Sequence, residues 1–291
     1  MTFHGSLVAI ITPFRNGQVD EKALGDLIEW QIANGTDGIV PCGTTGESAT
    51  LTHEEHKRVV EFTIEAVKRR VPVIAGTGSN ATDEAIELTR HARSVGADAA
   101  LLISPYYNKP TQEGLYRHHK AIAEAVEIPQ ILYNIPGRTA VNMAPATVAR
   151  LATLKNIVGI KEGAGSLQQV SEIVQACGDR FTVLSGDDAL TLPMMAVGAK
   201  GVITVTANIA PADMAAMVDV WEAGNVAKAR ALHFKLYPLF QALFFETNPV
   251  PVKHALALMG RATADVRLPL CAMSQENLDK LTRVMKDYGL V

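Results

Sequence analysis

Short apolar, β-branched runs alternate with amphipathic stretches of helical period through most of this chain, and no other feature limits its fold as strongly. Residues 6–11 read as a first strand and 21–34 as a helix, with Asp20 as its cap and Gly35 as its stop. Residues 38–40 open a second strand, and 53–70 form the next helix, capped by Thr52. Further strands are expected at 71–75, 99–103, 130–133, 157–161, 181–184 and 201–205. Helices are expected at 82–94, 112–126, 145–151, 167–176, 190–197 and 211–222, the last with Pro211 in its first turn. Eight strand–helix units predict an α/β fold of one kind, the (β/α)8 TIM barrel. A doubly wound open sheet uses fewer strands and usually a Gly-x-Gly-x-x-Gly turn after the first, which this sequence lacks.

Past residue 224 the pattern turns wholly helical. Residues 227–245 and 250–259 are apolar-rich, and 275–286 are amphipathic. The expected organisation is a barrel over 1–224 with a C-terminal helical extension, 225–291, packed on it and joined without a low-complexity linker.

At 291 residues and 48% hydrophobic, the chain can bury a core of that size. Its net charge is -3, and the strongest basic run, Val67-Lys68-Arg69-Arg70, falls at a helix end, where cations suit the dipole. Nucleic acid is therefore not expected as a partner. Cys42, Cys177 and Cys271 are odd in number and sparsely spaced, which indicates reduced thiols and a cytoplasmic setting. No basic leader opens Met1-Thr2-Phe3-His4-Gly5, and the apolar residues 7–11 are too few for a signal peptide. No segment is long enough to span a bilayer, so no membrane association is expected.

In such barrels the reacting groups lie at the C-terminal ends of the strands. Here those ends carry Gly43-Thr44-Thr45-Gly46-Glu47, Gly76-Thr77-Gly78-Ser79-Asn80, Ser104-Pro105-Tyr106-Tyr107-Asn108, Tyr133-Asn134-Ile135-Pro136-Gly137-Arg138, Lys161, Ser185-Gly186-Asp187-Asp188 and Thr204-Val205-Thr206-Ala207-Asn208. Lys161 is the most informative of them, because it ends the apolar run Ile157-Val158-Gly159-Ile160. Burial disfavours an ammonium, and a neutral lysine amine attacks carbonyls to form a Schiff base. The plainer alternative is a strand-end lysine that snorkels to water. Alternation puts Ile157, Gly159 and Lys161 on one face, and Ile131 and Tyr133 on one face of the neighbouring strand. If both faces point inward, a phenol stands beside the amine as a proton shuttle. The Gly-Thr-Thr-Gly segment is either a flexible turn or a nest of N–H groups and hydroxyls for a carboxylate. Arg138 is either a surface residue or a guanidinium for bidentate carboxylate recognition.

Taken in this order and on these strands, the pieces resemble the dihydrodipicolinate synthase and N-acetylneuraminate lyase family of pyruvate-dependent, class I aldolase-type lyases, over essentially the whole chain. Thr44-Thr45, the tyrosine-bearing Tyr106-Tyr107-Asn108-Lys109-Pro110 and Arg138 after Tyr-Asn-Ile-Pro-Gly are similar to its lysine-biosynthetic branch. Pro41-Cys42 and Gly163 depart from the family's usual residues and bear on local geometry.

The resemblance implies a Schiff base between Lys161 and pyruvate, whose carboxylate is held at Thr44 and Thr45. Tyr133, Thr44 and Tyr107 would form a proton relay, with Tyr107 supplied by a partner subunit. Arg138 would orient L-aspartate 4-semialdehyde, and Gly186 and Ile203 would complete the substrate pocket. The product would be 4-hydroxy-tetrahydrodipicolinate, in the first committed step of lysine biosynthesis. Neither metal nor organic cofactor is implied, since the imine is the electron sink. The resemblance also implies a homo-oligomer, a tetramer built from dimers. It further implies feedback inhibition by L-lysine at Ser48, Ala49, His53, His56, Asn80, Glu84 and Tyr106. That group suits such a ligand: Glu84 can pair with an α-ammonium, while Asn80 and Tyr106 offer hydrogen bonds to an α-carboxylate.

The nearest alternative is a sibling aldolase acting on a 2-keto-3-deoxy sugar acid or a sialic acid, because a few rim residues set substrate choice. A catalytically silent sensor barrel does not need the full set of Lys161, Tyr133, Thr44 and Arg138. A phosphate-handling isomerase is disfavoured by the carboxylates Asp187 and Asp188 where a phosphate would sit. His53-Glu54-Glu55-His56 spaces its histidines at i and i+3, not the i and i+4 of a zinc-protease helix.

Overall fold

All eight expected strands form one parallel sheet in the computed structural model, which describes residues 3–291. The reading of the first five residues as free of a leader falls partly on Met1 and Thr2, which lie outside the described residues. The strands are β1 (Gly5–Ala9), β2 (Gly38–Val40), β3 (Ile74–Gly76), β4 (Ala99–Ile103), β5 (Gln130–Asn134), β6 (Ile157–Glu162), β7 (Thr182–Ser185) and β8 (Gly201–Thr204). In space they run β2-β1-β8-β7-β6-β5-β4-β3. A parallel bridge between Ile39 and Val73, with the Gly76 N–H donating to the Pro41 carbonyl at 2.9 Å, joins β2 to β3 and closes the barrel.

Around it run α1 (Glu21–Ala33), α2 (His53–Val67), α3 (Thr82–Val95), α4 (Gln112–Ala125), α5 (Pro136–Thr139), α6 (Pro145–Leu151), α7 (Leu167–Cys177), α8 (Thr191–Ala196) and α9 (Pro211–Glu222). Then come α10 (Val226–Ala242), α11 (Val250–Leu258) and α12 (Gln275–Tyr288). Local signals explain most boundaries. Asp20 caps α1 by accepting from the Ala23 N–H at 3.0 Å. Thr52 and Glu55 form a reciprocal capping box on α2. The helix expected to reach residue 70 ends at Val67, because Lys68 and Arg69 take left-handed φ values of 52° and 59°. Arg70 then turns back onto Glu29, with contacts at 2.7 and 2.6 Å.

Side chains alternate between two apolar layers. Leu7, Ala9, Val40, Ile74, Leu101, Ile131, Tyr133, Leu184 and Ile203 fill the barrel interior. Val8, Ile39, Leu132, Ile160, Val183 and Val202 face the helices. Burial on both faces is what a parallel strand between helices requires. One expectation is corrected here. A bulge pairs Gln130 with Ile157 but Ile131 with Gly159. Ile157 therefore joins the outer layer and Val158 packs toward the interior. The extra residue reverses the alternation at the start of β6 and leaves the Lys161 end pointing inward.

Pro41 lies just past the end of β2, so it removes no donor from that strand's ladder. Cys42 follows it with φ 54°. Gly163 has a steric reason to be glycine: a Cβ there would meet Ile135 Cδ1 at 2.9 Å and the Asn134 carbonyl at 3.2 Å.

Candidate active site

β5 and β6 run in register with Tyr133 opposite Lys161, so their inward side chains meet at the barrel mouth. Lys161 is 6% exposed and its Nζ lies 4.4 Å from the centre of the Tyr133 ring. The two strands are braced from behind. The Glu162 carboxylate accepts from Asn134 Nδ2 at 3.1 and 3.0 Å, from Gln169 Nε2 at 3.1 Å and from the Ala164 N–H at 2.7 Å. Burial raises the Glu162 pKa, and these donors work against that rise. The chain neighbours of Tyr133 and Lys161, Asn134 and Glu162, are thus fixed on the far side of the sheet.

Facing Lys161 is the loop after β2. Gly46 and Glu47 donate their N–H groups to the Gly43 and Thr44 carbonyls, both at 3.1 Å, which curls the segment. Among the described residues, neither the Thr44 nor the Thr45 N–H donates to any protein acceptor. Two free donors beside two hydroxyls make an anion-binding concavity. Glu47 closes the loop in a left-handed conformation, φ 53°. Its buried carboxylate forms an ion pair with Lys253 of α11 and accepts from the Arg267 N–H at 3.1 Å. Lys253 also donates to the Asp265 carbonyl at 2.8 Å and lies 4.0 Å from the Phe14 ring centre. Burial pushes Lys253 down to about 8, and Glu47 opposes that shift. The post-barrel helices thereby hold the nest in shape.

An inner cavity of about 60 Å³ joins Lys161, Tyr133, Thr44, Thr45, Arg138 and Gly186. Arg138 stands on α5, a four-residue turn not anticipated from the sequence, and its guanidinium donates to the Asn248 carbonyl at 3.2 Å. Ile203 is buried in the apolar floor with Leu184 and Tyr133, not in the cavity wall. Tyr107 is 89% exposed with φ 72° and is absent from the cavity wall, so this chain alone does not bring it to Tyr133 and Thr44.

The inner cavity opens into a cleft of about 450 Å³. Ser48, Ala49, His53, His56, Glu84 and Tyr106 line its outer end, while Thr44, Tyr133 and Arg138 line its inner end. His53 Nε2 meets Glu84 Oε1 at 2.6 Å, and the other Glu84 oxygen takes the Ser79 hydroxyl. The Ser79 hydroxyl, followed by His53, holds the Glu84 carboxyl below its usual range. Burial pushes His56 down to about 4 and raises Tyr106. Asn80 is not in the cleft wall; its carbonyl accepts from Asn108 Nδ2 at 2.9 Å. Among the described residues, no group of three or more His, Cys, Asp or Glu is placed to hold a metal.

Sequence reasoning passed over Phe244 and Asn248, which complete the inner cavity. Both precede α11, where no strand-end rule points to them. The only available signal was an apolar pair followed by the Thr-Asn-Pro punctuation of residues 247–249.

Residues 2–288 match the model of the dihydrodipicolinate synthetase family. The 4-hydroxy-tetrahydrodipicolinate synthase of Syntrophus aciditrophicus (strain SB) is 65% identical over 99% of this chain and 99% of its own length. Two solved structures superpose closely. One is the chloride-inhibited dihydrodipicolinate synthase of Acinetobacter baumannii complexed with pyruvate, at TM-score 0.98, 49% identity and full coverage of both chains (100% of each). The other is the Cyanidioschyzon merolae enzyme with lysine bound, at TM-score 0.97, 40% identity and 99% coverage of both chains.

Proposed function

The chain belongs to the dihydrodipicolinate synthetase family, and on that footing we propose that it condenses pyruvate, held as an imine on Lys161, with L-aspartate 4-semialdehyde to give 4-hydroxy-tetrahydrodipicolinate. The observation that carries this reading is the buried Lys161 amine beside the Tyr133 ring, in one cavity with Thr44, Thr45 and Arg138.

The steps follow from the geometry. The free N–H groups and hydroxyls of Thr44 and Thr45 take the pyruvate carboxylate and present its keto carbon to Lys161. Lys161 attacks, and Tyr133 passes the protons needed to lose water and to form the enamine. The enamine carbon then adds to the semialdehyde, whose carboxylate Arg138 holds. Gly186 leaves room at the wall, and Ile203 supplies apolar floor. The imine carries the electron pair, so the mechanism calls on no metal or organic cofactor.

The relay is completed by Tyr107 from a second copy of the chain, in a homo-oligomer that is a tetramer built from two dimers. Support comes from the exposed, left-handed Tyr107, its exposed neighbour Tyr106 and the exposed Leu268. L-Lysine binds the outer cleft at Ser48, Ala49, His53, His56, Glu84 and Tyr106, with Asn80 at its edge, and lowers activity. The continuity of that cleft with the inner cavity supports this reading. Residues 1–224 supply the barrel and 225–291 an extension that braces the site. The enzyme is cytoplasmic; no helix among the described residues is long and apolar enough to cross a membrane.

The test is a coupled assay with pyruvate and L-aspartate 4-semialdehyde, run beside retro-aldol assays on sialic acid and 2-keto-3-deoxy sugar acids. Condensation that exceeds sugar-acid cleavage by orders of magnitude is expected. Preferred cleavage of a sugar acid would assign the site to the sibling chemistry.

A further inference from the structure

Asn248 connects the two halves of the inner cavity. It is 4% exposed, its Nδ2 donates to the Thr45 hydroxyl at 3.0 Å, and its main-chain carbonyl accepts from Arg138 at 3.2 Å. Its Oδ1 is buried and has no hydrogen-bond partner in the chain. A buried amide oxygen left unpaired is costly and calls for a donor. Asn248 forms part of the cavity wall with Lys161 and Arg138, so a ligand seated in the cavity is placed to supply that donor.

The semialdehyde substrate has such a donor. Its carboxylate is matched by Arg138 and its aldehyde by the enamine, which leaves the α-amine. No carboxylate lines the inner cavity. Glu47 is paired with Lys253, and Glu84 with His53 and Ser79. We propose that Asn248 Oδ1 accepts a hydrogen bond from the α-amine of L-aspartate 4-semialdehyde and orients it for ring closure. This rests on the synthase reading above and adds a residue that selects an amine-bearing partner.

A neutral acceptor suits the chemistry better than a carboxylate. After the condensation, the amine's lone pair forms a bond to the imine carbon, and the C=N electron pair moves onto the Lys161 nitrogen. One proton passes from the incoming nitrogen to the lysine nitrogen. The ring nitrogen's remaining pair then forms the cyclic C=N as the bond to Lys161 breaks, returning the amine to the enzyme. The substrate ammonium must lose a proton before it can attack. A carboxylate beside it would hold that proton, whereas an amide does not.

Two variants and one analogue test the proposal. Asn248→Ala should raise KM for the semialdehyde about tenfold, the loss of one hydrogen bond to a charged group. The inhibition constant of 4-oxobutanoate, which keeps the aldehyde and carboxylate but lacks the amine, should change less than about twofold. Asn248→Asp replaces the Nδ2 donor with an oxygen to which the Thr45 hydroxyl can itself donate, and should move the acid limb of the kcat profile to higher pH by about one unit. Equal weakening of substrate and analogue by Asn248→Ala, or an unshifted profile in Asn248→Asp, overturns the assignment and leaves Asn248 as a brace for Thr45. Wild type measured in the same assay separates the two levels: no condensation at all overturns the functional reading as well, while condensation with equal losses overturns only the role of Asn248.

Discussion

A Schiff base forms only from an unprotonated amine, and Lys161 is the lysine set against a phenol in the inner cavity. The only other buried lysine, among the described residues, is Lys253, whose amine is committed to Glu47 and to the Asp265 carbonyl. Pyruvate with borohydride is therefore expected to add one reduced pyruvate per chain, on Lys161, as read by peptide mass spectrometry. Lys161→Ala should lose the label and at least on the order of a thousandfold in kcat. Label on Lys253, or undiminished label in Lys161→Ala, would reassign the nucleophile. Lys161 was legible in the sequence because strand-end position and apolar context are both local. Asn248 was not, because it meets Thr45 across 203 residues of chain.

At the scale of elements, the outer cleft is made where the start of α2, the start of α3 and the loop after β4 converge. His53 and Glu84 come from different helices yet touch at 2.6 Å, and Tyr106 adds a half-buried phenol next to Tyr107. A ligand held there can shift the second tyrosine, and couplings of this size are typically about 1–3 kcal/mol. L-Lysine titrated at saturating pyruvate should inhibit wild type, with inhibition reduced about tenfold or more in Glu84→Ala and His56→Ala. Full activity at millimolar lysine, or equal inhibition of all three proteins, would remove the regulatory site and leave the chemistry in place. The helices themselves were readable from caps and period, as Asp20 and Thr52 show. The β6 bulge was not readable, because a slipped register depends on the neighbouring strand and not on the strand's own pattern.

For the molecule as a whole, two consequences follow. Tyr107 is 89% exposed and does not line the inner cavity of its own chain. Mixing Tyr107→Phe with Lys161→Ala under conditions that exchange subunits should therefore restore part of the lost activity. Absence of any rescue would confine each site to one chain. The second consequence concerns acid. His56, His118 and His119 are buried, and burial pushes His56 and His118 down to about 4 and His119 well below the usual histidine range. Their folded pKa values lie below the unfolded value, so in that window the unfolded state binds more protons. The stability they contribute is full above about pH 6.5 and is lost as pH falls toward 4, by up to about 1.4 kcal/mol per pH unit for each. Urea midpoints should drop steeply between pH 7 and 5, and His119→Leu should flatten that slope. An unchanged slope in the variant would show that His119 already titrates normally when folded.

The sequence by itself determined what is local or periodic. It set the eight strand–helix units, most helix ends, the strand that carries Lys161 and the alternation that turns Lys161 and Tyr133 to one side. These follow from spacing along the chain and need no knowledge of distant partners. The tertiary structure alone decided three things: the closure of the barrel by Val73 against Ile39, the α11 lysine that locks Glu47, and the placement of Asn248 between Thr45 and Arg138. Each joins residues far apart in sequence, and which distant groups meet is fixed only when the barrel closes and the last helices pack against it.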